Sequence, residues 1–230
     1  MSDVAMFVVT DGRLEYLKKT LESFHENCDY DFMDKFIVND SMDEKFREDV
    51  SLLADKYKFY LINHKVKKGF AGVYDTAWSH IEHYIDYVFN LEDDFIFNEK
   101  VDIDKMIDIL EHNRNLVQVS LKRQAWGDAE IQAGGFVEQF PDLYEDKEHN
   151  GLKWCEHRAF YTTNPSLTPR FVFAKGWVIC EKSEQVISNR LFENPNFKSA
   201  MLGHKFDAPK VLHYDFFKYR NMSCDTNIDV

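Results

Sequence analysis

The sequence has no closely spaced cysteines. Cys28, Cys155, Cys180 and Cys224 are scattered without a Cys-x-x-Cys pair, so neither a zinc knuckle nor a disulfide framework is indicated. The amino terminus lacks the basic start and the long apolar stretch of a signal peptide. We therefore expect reduced thiols in a cytoplasmic protein.

Long apolar runs are also missing. The longest apolar region, residues 84–97, is interrupted by Asp86 and by the acids Glu92, Asp93 and Asp94, which excludes a membrane span. From about Lys122 onward we find no linker, low-complexity tract or internal repeat. A net charge of −12 over 230 residues repels polyanions in general, although a local basic groove would overcome that repulsion. Nucleic acid is therefore not the default partner.

The first half of the chain alternates strand signals with helix signals. Apolar runs of strand length occupy residues 4–10, 36–39, 59–62, 87–91 and 116–121. Between them lie apolar stripes at helical spacing, which begin at Leu14, Phe46, Tyr74 and Ile103. We extend the third stripe to Ile85. This pattern is typical of a parallel sheet covered on both faces, so we expect an α/β fold with a Rossmann-like, mostly parallel central sheet.

From about Lys122 the regular alternation ends. The chain becomes rich in aromatic residues and is punctuated by Gly134-Gly135, Pro141, Pro165 and Pro169. Many apolar residues remain in this region. We therefore interpret it as an irregular, substrate-facing half of the same domain, rather than as a second domain.

The residues that follow the predicted strands are the first candidates for a site, because ligands of such sheets lie beyond the carboxyl ends of the strands. They are Thr10-Asp11-Gly12-Arg13, Asn39-Asp40-Ser41 and Glu92-Asp93-Asp94. The first of these segments lacks the Gly-x-Gly-x-x-Gly loop of dinucleotide-binding enzymes, which argues against a Rossmann oxidoreductase.

The acidic triplet Glu92-Asp93-Asp94 is the most informative feature. Three acids at the end of an apolar strand need a compensating charge if they are buried, and a bound cation would supply it. Strand alternation puts Glu92 and Asp94 on one side, so two carboxylates converge. Mn²⁺ and Mg²⁺ take such oxygen ligands and share them with substrate phosphates. The alternative is that the acids cap a turn or remain solvated.

Several segments together resemble the GT-A fold of nucleotide-sugar-dependent glycosyltransferases, whose hallmark is an Asp-x-Asp or Glu-Asp-Asp motif closing a central strand. The resembling segments are residues 9–21, 38–41, 67–72 and 92–94. The resemblance implies one GT-A domain over residues 1–230, with a nucleotide-sugar-binding half at 1–98 and an acceptor-binding half at 99–230.

The same resemblance implies roles for individual residues. Asp94 would hold the metal, Asp40 would contact the base or ribose, and Glu92 the ribose side. Asn39 departs from the pattern, because many members carry a second Asp there. The donor, most simply a UDP-sugar, would be bound by Thr10, Asp11, Arg13, Asn39, Asp40, Lys68, Gly69, Glu92 and Asp93.

More narrowly, the later segments resemble glycosyltransferases encoded by tailed bacteriophages. These segments are Leu121-Lys122-Arg123-Gln124-Ala125-Trp126, Ala133-Gly134-Gly135-Phe136, Trp154-x-x-His157-Arg158, Thr163-Asn164-Pro165 and Gly176-Trp177. Such enzymes imply a hydroxymethylated DNA base or a virion protein or glycan as acceptor, and the sequence does not choose between them.

A metal-binding histidine and a catalytic base are expected in the second half. The resemblance implies that His213 completes the metal shell, with His204 as a second candidate; a packed structural histidine is the alternative for either. Transfer to a hydroxyl needs a general base. By the resemblance of Gly176-Trp177 and the acids after it, we expect Glu184 first, then Glu181, then Asp207, although an acid near a helix start often only favours the helix dipole.

Basic and aromatic residues of the second half are candidates for the acceptor site. Arginine and lysine bind oxyanions, and tryptophan offers a large face for a sugar or base. The candidates are Lys122, Arg123, Trp126, Arg158 and Trp177. Two other functions remain open at this point: a non-catalytic carbohydrate- or nucleotide-binding module, and a nucleotidyltransferase.

Overall fold

The computed structural model describes residues 2–214. The strands are β1 Val4–Thr10, β2 Asp34–Asn39, β3 Tyr60–Asn63, β4 Tyr87–Glu92, β5 Phe95–Phe97, β6 Leu116–Ser120, β7 Tyr144–His149, β8 Leu152–His157, β9 Ser166–Pro169, β10 Lys198–Leu202 and β11 Val211–His213. The helices are α1 Leu14–Asn27, α2 Glu44–Tyr57, α3 Gly69–His80, α4 Ile103–His112, α5 Asp128–Ala133, α6 Phe136–Gln139, α7 Arg170–Phe173 and α8 Ser183–Phe192.

A nine-stranded mixed sheet forms the centre of the fold, in the order β3-β2-β1-β4-β9-β6-β10-β8-β7. The first four strands are parallel, and β9 joins them to the second half by antiparallel pairing with both β4 and β6. The expected α/β architecture, a mixed central sheet with flanking helices, is confirmed.

Helices cover both faces of this sheet. Along β1, Met6 and Val8 pack in one cluster with residues of α1, α2 and α4, whereas Phe7 and Val9 pack in another with residues of α3, α7 and α8. Every residue of β1 is buried. Because both faces need apolar side chains, the strand is a continuous apolar run, which is the signal that the sequence carries.

The second half is more regular than we predicted. β8 and β7 form an antiparallel hairpin that extends the sheet beyond β10. The hairpin turns at Asn150 and Gly151, whose φ angles of 48° and 80° are both positive, as a tight turn between antiparallel strands requires. The predicted extent of α3 was also too long, because the helix ends at His80. Ile85 lies beyond it, and its N–H donates to the Glu82 carbonyl.

A small second sheet, β5 with β11, lies directly after the acidic triplet. His213 of β11 pairs with Phe95 of β5. The Tyr214 N–H donates to the Asp94 carbonyl at 2.6 Å. This pairing brings a histidine from the end of the described chain to the carboxyl end of β4.

Two further expectations concern the cysteines and membrane-spanning helices. Cys28, Cys155 and Cys180 are free thiols, and Cys224 lies outside the described residues. Within residues 2–214, the helices are too short or too polar to cross a membrane.

Candidate active site

The ends of β1 and β4 converge on a pair of buried aspartates. The Thr10 hydroxyl donates to Asp93 Oδ2 at 2.6 Å, and Arg13 forms ion pairs with both Asp93 and Asp94. Arg13 Nη1 lies 2.7 Å from Asp94 Oδ2. Burial raises the pKa of Asp93 to about 6, although Arg13 and Thr10 act in the opposite direction. One guanidinium therefore counterbalances two carboxylates that burial alone would destabilise.

One carboxylate oxygen of Asp94 is left without a hydrogen-bond partner in the described part of the chain. Its Oδ2 contacts Arg13 and lies 3.6 Å from His213 Nε2, whereas its buried Oδ1 has no hydrogen-bond partner among the described residues. A carboxylate and an imidazole suit Mn²⁺ or Mg²⁺, which complete their shells with water and substrate phosphates. No set of three such protein ligands occurs within residues 2–214. The residues present therefore fit a metal shared with a phosphate ligand.

The backbone of His213 is held on both sides. β5 pairs with it on one side, and on the other the Gln124 side chain accepts from the His213 N–H at 2.8 Å and donates to the His213 carbonyl at 3.1 Å. The rings of Trp126 and Phe95 contact the imidazole, with centroids 4.1 and 4.9 Å away. These contacts fix the direction of the imidazole toward Asp94.

A cavity of about 270 Å³ opens at the end of β1, and we call it the β1 cavity. Its lining contains many of the predicted donor residues: Thr10, Asp11, Arg13, Asp40, Gly69, Glu92 and Asp93. Val9, Phe70, Val73 and Tyr74 complete it. The cavity lies where the strand order places a ligand, beyond the carboxyl ends of parallel strands.

Asp40 fixes one wall of the β1 cavity. Its carboxylate accepts from the N–H of Lys68 at 2.8 Å and of Gly69 at 2.7 Å, and lies 2.6 Å from His64 Nδ1. These contacts hold the first turn of α3 against the end of β2. Neighbouring Asn39 is buried outside the cavity lining, bound to Asn63 and to the Ser41 N–H.

A second cavity of about 660 Å³ lies in front of α8, and we call it the α8 cavity. Glu184 is part of its lining, and its Oε1 accepts from the Thr163 N–H at 2.7 Å and from the Thr163 hydroxyl at 3.2 Å. His213 and Arg123 also line it. The carboxylate of Glu184 is thus held in a fixed place beside open space.

Glu92 and Phe70 line both cavities. The Tyr74 hydroxyl donates to Glu92 Oε1 at 3.3 Å. Burial, and after it the charge of Asp94, raises the pKa of Glu92 to about 8. Asp94 touches residues of each cavity, Arg13 on the β1 side and His213 on the α8 side. Asp94 therefore links the two cavities through its contacts with Arg13 and His213.

The structure does not bring the predicted basic residues together. The ammonium group of Lys122 is buried and bonds to Glu138 and to the Lys205 carbonyl. Arg158 donates to backbone carbonyls of the turn between α8 and β10. Neither residue lines the α8 cavity. Both charges are used in internal contacts, so we do not retain these two residues as acceptor ligands.

Four other predicted residues have different surroundings. Trp177 is buried in the core and stacks on Tyr74 at 4.7 Å, so its face is not open to an acceptor. Trp126 packs on the imidazole of His213 instead. Glu181 is exposed in the turn before α8, and Asp207 accepts from the His204 N–H in a surface turn. Neither acid lines the α8 cavity.

Three residues at the site escaped the sequence analysis as individual candidates: Thr163, Gln124 and Phe70. Thr163 and Gln124 stand in segments that we recognised only by resemblance, and Phe70 directly follows the predicted Gly69. Thr163 contacts a residue 21 positions away, and Gln124 contacts one 89 positions away. Local patterns in the sequence do not report such contacts.

A larger cavity, of about 970 Å³, lies at the opposite end of β1. It is lined by Asp3, Asp29, Asp31, Asp102 and Asp104 among others. Size alone would favour it, but it lies at the amino end of the strand and contains no comparable set of oriented, buried polar groups. We therefore place the site at the β1 and α8 cavities.

Comparison with known proteins relates this chain to one protein family. Residues 6–175 match the family described as Glycosyl transferase family 2. No curated protein sequence matches the chain. Many solved structures share the fold.

Three of these structures illustrate the similarity. The crystal structure of S. aureus TarS 1-349 has a TM-score of 0.60 at 13% identity, over 99% of this chain and 66% of its own. The mannosyltransferase PcManGT from Pyrobaculum calidifontis, in complex with GDP-Man and Mn²⁺, has a TM-score of 0.61 at 11% identity, over 92% and 56%. S. aureus TarS 1-349 in complex with UDP has a TM-score of 0.60 at 13% identity, over 91% of this chain and 60% of its own. This chain is thus shorter than each of them, and the likeness shows the fold alone.

Proposed function

Because the chain belongs to glycosyl transferase family 2, we propose that it transfers a sugar from a nucleoside-diphosphate sugar to an acceptor hydroxyl. One observation carries the proposal: two cavities meet at Glu92 and Phe70, and Asp94, whose buried Oδ1 has no hydrogen-bond partner among the described residues, contacts a lining residue of each. A two-substrate transfer needs two binding spaces with a common boundary, since the reacting atoms must approach closely.

The β1 cavity takes the nucleotide part of the donor. Thr10, Asp11 and Arg13 stand at the end of β1, and Asp40 positions the backbone of Gly69 along the opposite wall. We favour a UDP-sugar. UDP in one similar structure and GDP-Man in another are compatible with a nucleoside diphosphate in this position.

Asp94 and His213 hold Mn²⁺ or Mg²⁺ in this proposal. The bound metal would stabilise the negative charge that develops on the leaving diphosphate. Arg13 keeps the carboxylates of Asp93 and Asp94 in place, and Gln124 keeps His213 in place.

Glu184 serves as the general base. The acceptor oxygen forms a bond to the anomeric carbon, the bond from that carbon to the diphosphate breaks, and the hydroxyl proton passes to Glu184. Thr163 orients the carboxylate through two hydrogen bonds to one oxygen, which leaves the other oxygen for the acceptor.

Product analysis tests this function. We expect UDP-glucose, UDP-N-acetylglucosamine or GDP-mannose, incubated with Mn²⁺ and an acceptor panel, to release nucleoside diphosphate, and the chelator EDTA to stop the release. Asp94→Asn should abolish release. The control is Asp108→Asn, which changes an exposed aspartate on α4 and should leave release unchanged.

Other products would support the other functions. Pyrophosphate would indicate a nucleotidyltransferase. Metal-dependent nucleotide-sugar binding without turnover of any donor and acceptor would indicate a binding module. Metal-independent release that survives Asp94→Asn would contradict the proposed role of the aspartate.

A further inference from the structure

Exposed apolar side chains form part of the wall of the α8 cavity. Phe70, Phe140 and Leu143 line it, and 45, 56 and 55% of their respective surfaces are exposed. Phe136 and Phe160 are also part of the lining. Exposed apolar residues gathered around one opening indicate a binding surface, whereas apolar residues scattered singly are normal on protein surfaces.

Polar groups are interleaved with these rings. Glu92 and Glu184 lie at the inner side, and amide or hydroxyl side chains surround them: Gln139, Thr162, Thr163, Asn164, Gln185 and Ser188. A sugar ring has hydroxyls around its edge and C–H groups on its faces. Rings for the faces and hydrogen-bonding groups for the edge match that chemistry, and about 660 Å³ lies within the range of about 300–1,000 Å³ that small-ligand pockets have.

The charge of the cavity disfavours an anion. Arg123 is the one Lys or Arg side chain in the described lining, and Glu130 binds its guanidinium through two hydrogen bonds of 2.9 and 3.1 Å. Although burial alone would raise the pKa of Glu130, the hydrogen bonds from Arg123 and Trp126 lower it, which keeps the ion pair formed. Within the described lining, the carboxylate of Glu184 is then not balanced by a lysine or an arginine.

We infer that the α8 cavity accepts an uncharged sugar ring, and that the Arg123–Glu130 ion pair excludes anionic acceptors such as phosphate-bearing polymers and DNA. This inference rests on the proposed function and names its acceptor class. Phe140 provides the apolar face, and Glu184 receives the hydroxyl. Of the acceptors considered from the sequence, a neutral glycan is favoured over a modified DNA base.

Binding of simple glycosides tests the inference without turnover. The probes are methyl glucoside and methyl galactoside, each compared with its 6-carboxylate, methyl glucuronide and methyl galacturonide, and with the nucleoside 5-hydroxymethyl-2′-deoxycytidine. Saturation-transfer NMR in the presence of UDP and Mn²⁺ measures their affinities. We expect at least one neutral glycoside to bind about tenfold more tightly than its carboxylate and than the nucleoside.

Three variants connect that preference to the named residues. Phe140→Ala should lower the affinity for the neutral glycoside about fivefold or more. The control is Phe171→Ala, which changes an exposed phenylalanine outside the cavity and should leave that affinity unchanged. Glu130→Gln keeps the shape and the acceptor for the Trp126 N–H but removes the charge. It should let the carboxylate glycosides bind nearly as well as the neutral ones.

The outcomes separate the inference from the function on which it rests. UDP binding with Mn²⁺ is measured on the same samples. If UDP binds and the carboxylates or the nucleoside bind as tightly as the neutral glycosides, or no glycoside binds, the acceptor class is wrong while the donor site stands. If UDP itself does not bind with metal, the proposed function fails first.

Discussion

Arg13 links the two aspartates on which the candidate site depends. It stands directly after the turn that follows β1, and its two ion pairs join the end of β1 to the end of β4. Asp93 is fully buried, so its carboxylate needs both the guanidinium and the Thr10 hydroxyl. Asp94 shares the same cation but has one oxygen left over. The neighbouring acids therefore differ: Asp93 is satisfied within the fold, and Asp94 keeps one oxygen without a hydrogen-bond partner among the described residues.

Glu184 is the residue on which the proposed chemistry can be tested most simply. Glu184→Gln preserves the shape and removes the base, so we expect kcat to fall by about a hundredfold or more while the KM for the donor stays unchanged. Steady-state measurement of nucleoside diphosphate release gives both constants. Glu181→Gln, three positions earlier and outside the cavity, is the matched control. The reverse pattern, with the loss in Glu181→Gln, would transfer the role to that residue.

Sequence patterns indicated part of this site and not the rest. The acidic triplet was conspicuous because charge at the end of an apolar strand needs an explanation, and His213 and Glu184 were named by resemblance. Both lie where such roles are sterically feasible, and their roles remain predictions. Lys122 and Arg158 looked like ligand-binding cations, but each found partners more than 15 positions away. A sequence shows which charges exist, not which are already paired.

At the scale of the element, α3 carries the wall between the two cavities. Gly69 and Phe70 form its first turn, and Tyr74 follows one turn later. Lys68, which precedes the helix, makes no side-chain cap. Asp40 performs that task from the end of β2, since it accepts from two N–H groups at the start of α3.

Removal of this long-range cap should affect both the helix and the donor. Asp40→Ala leaves the N–H groups of Lys68 and Gly69 and the buried His64 without their acceptor, so we expect the free energy of unfolding to fall by about 1–3 kcal/mol. UDP affinity should fall by about tenfold, because the first turn of α3 lines the β1 cavity. Urea unfolding and nucleotide titration measure the two effects.

Asp43→Ala is the control for that experiment. Asp43 caps α2 by accepting from the Phe46 N–H, and α2 does not line either cavity. Its loss should cost about 1 kcal/mol of stability and leave UDP affinity unchanged. Equal loss of affinity in both variants would mean that instability alone, and not the position of α3, weakens nucleotide binding.

The elements themselves were predicted unevenly. Burial on both faces leaves continuous apolar runs, and these predicted β1, β2, β4 and β6, whereas β10, which pairs in parallel with β6, was missed. β1 and its helix were predicted within a few residues. β7 and β8 were also missed. β7 has the mostly polar sequence Tyr-Glu-Asp-Lys-Glu-His and is largely exposed at the edge of the sheet, so it lacks an apolar run. The Asn150-Gly151 pair was the available signal, because such a pair favours a tight hairpin turn.

At the scale of the whole molecule, buried His157 ties stability to pH. It lies in β8 under Tyr144 and Phe160, and burial lowers its pKa to about 3. In the unfolded chain a histidine titrates near its ordinary value of about 6.5. Below that pH the unfolded state takes up a proton that the folded state does not, so stability falls as the pH falls.

Urea unfolding at pH 7.5 and pH 5.0 measures this effect. His157 alone should contribute a loss of about 2 kcal/mol on going from the higher to the lower pH. His157→Gln should show a correspondingly smaller difference between the two values, and exposed His83→Gln should behave like the unaltered chain. An undiminished pH effect in His157→Gln would show that other groups are responsible.

The direct test of the account is the binding of UDP and GDP by calorimetry, once with Mn²⁺ and once with EDTA. The account predicts that at least one of the two nucleotides binds about tenfold more tightly with Mn²⁺, that Asp94→Asn removes this advantage, and that Asp108→Asn preserves it. Equal affinity with and without the metal for both nucleotides, or an advantage that persists in Asp94→Asn, would contradict a cation held between Asp94 and the diphosphate.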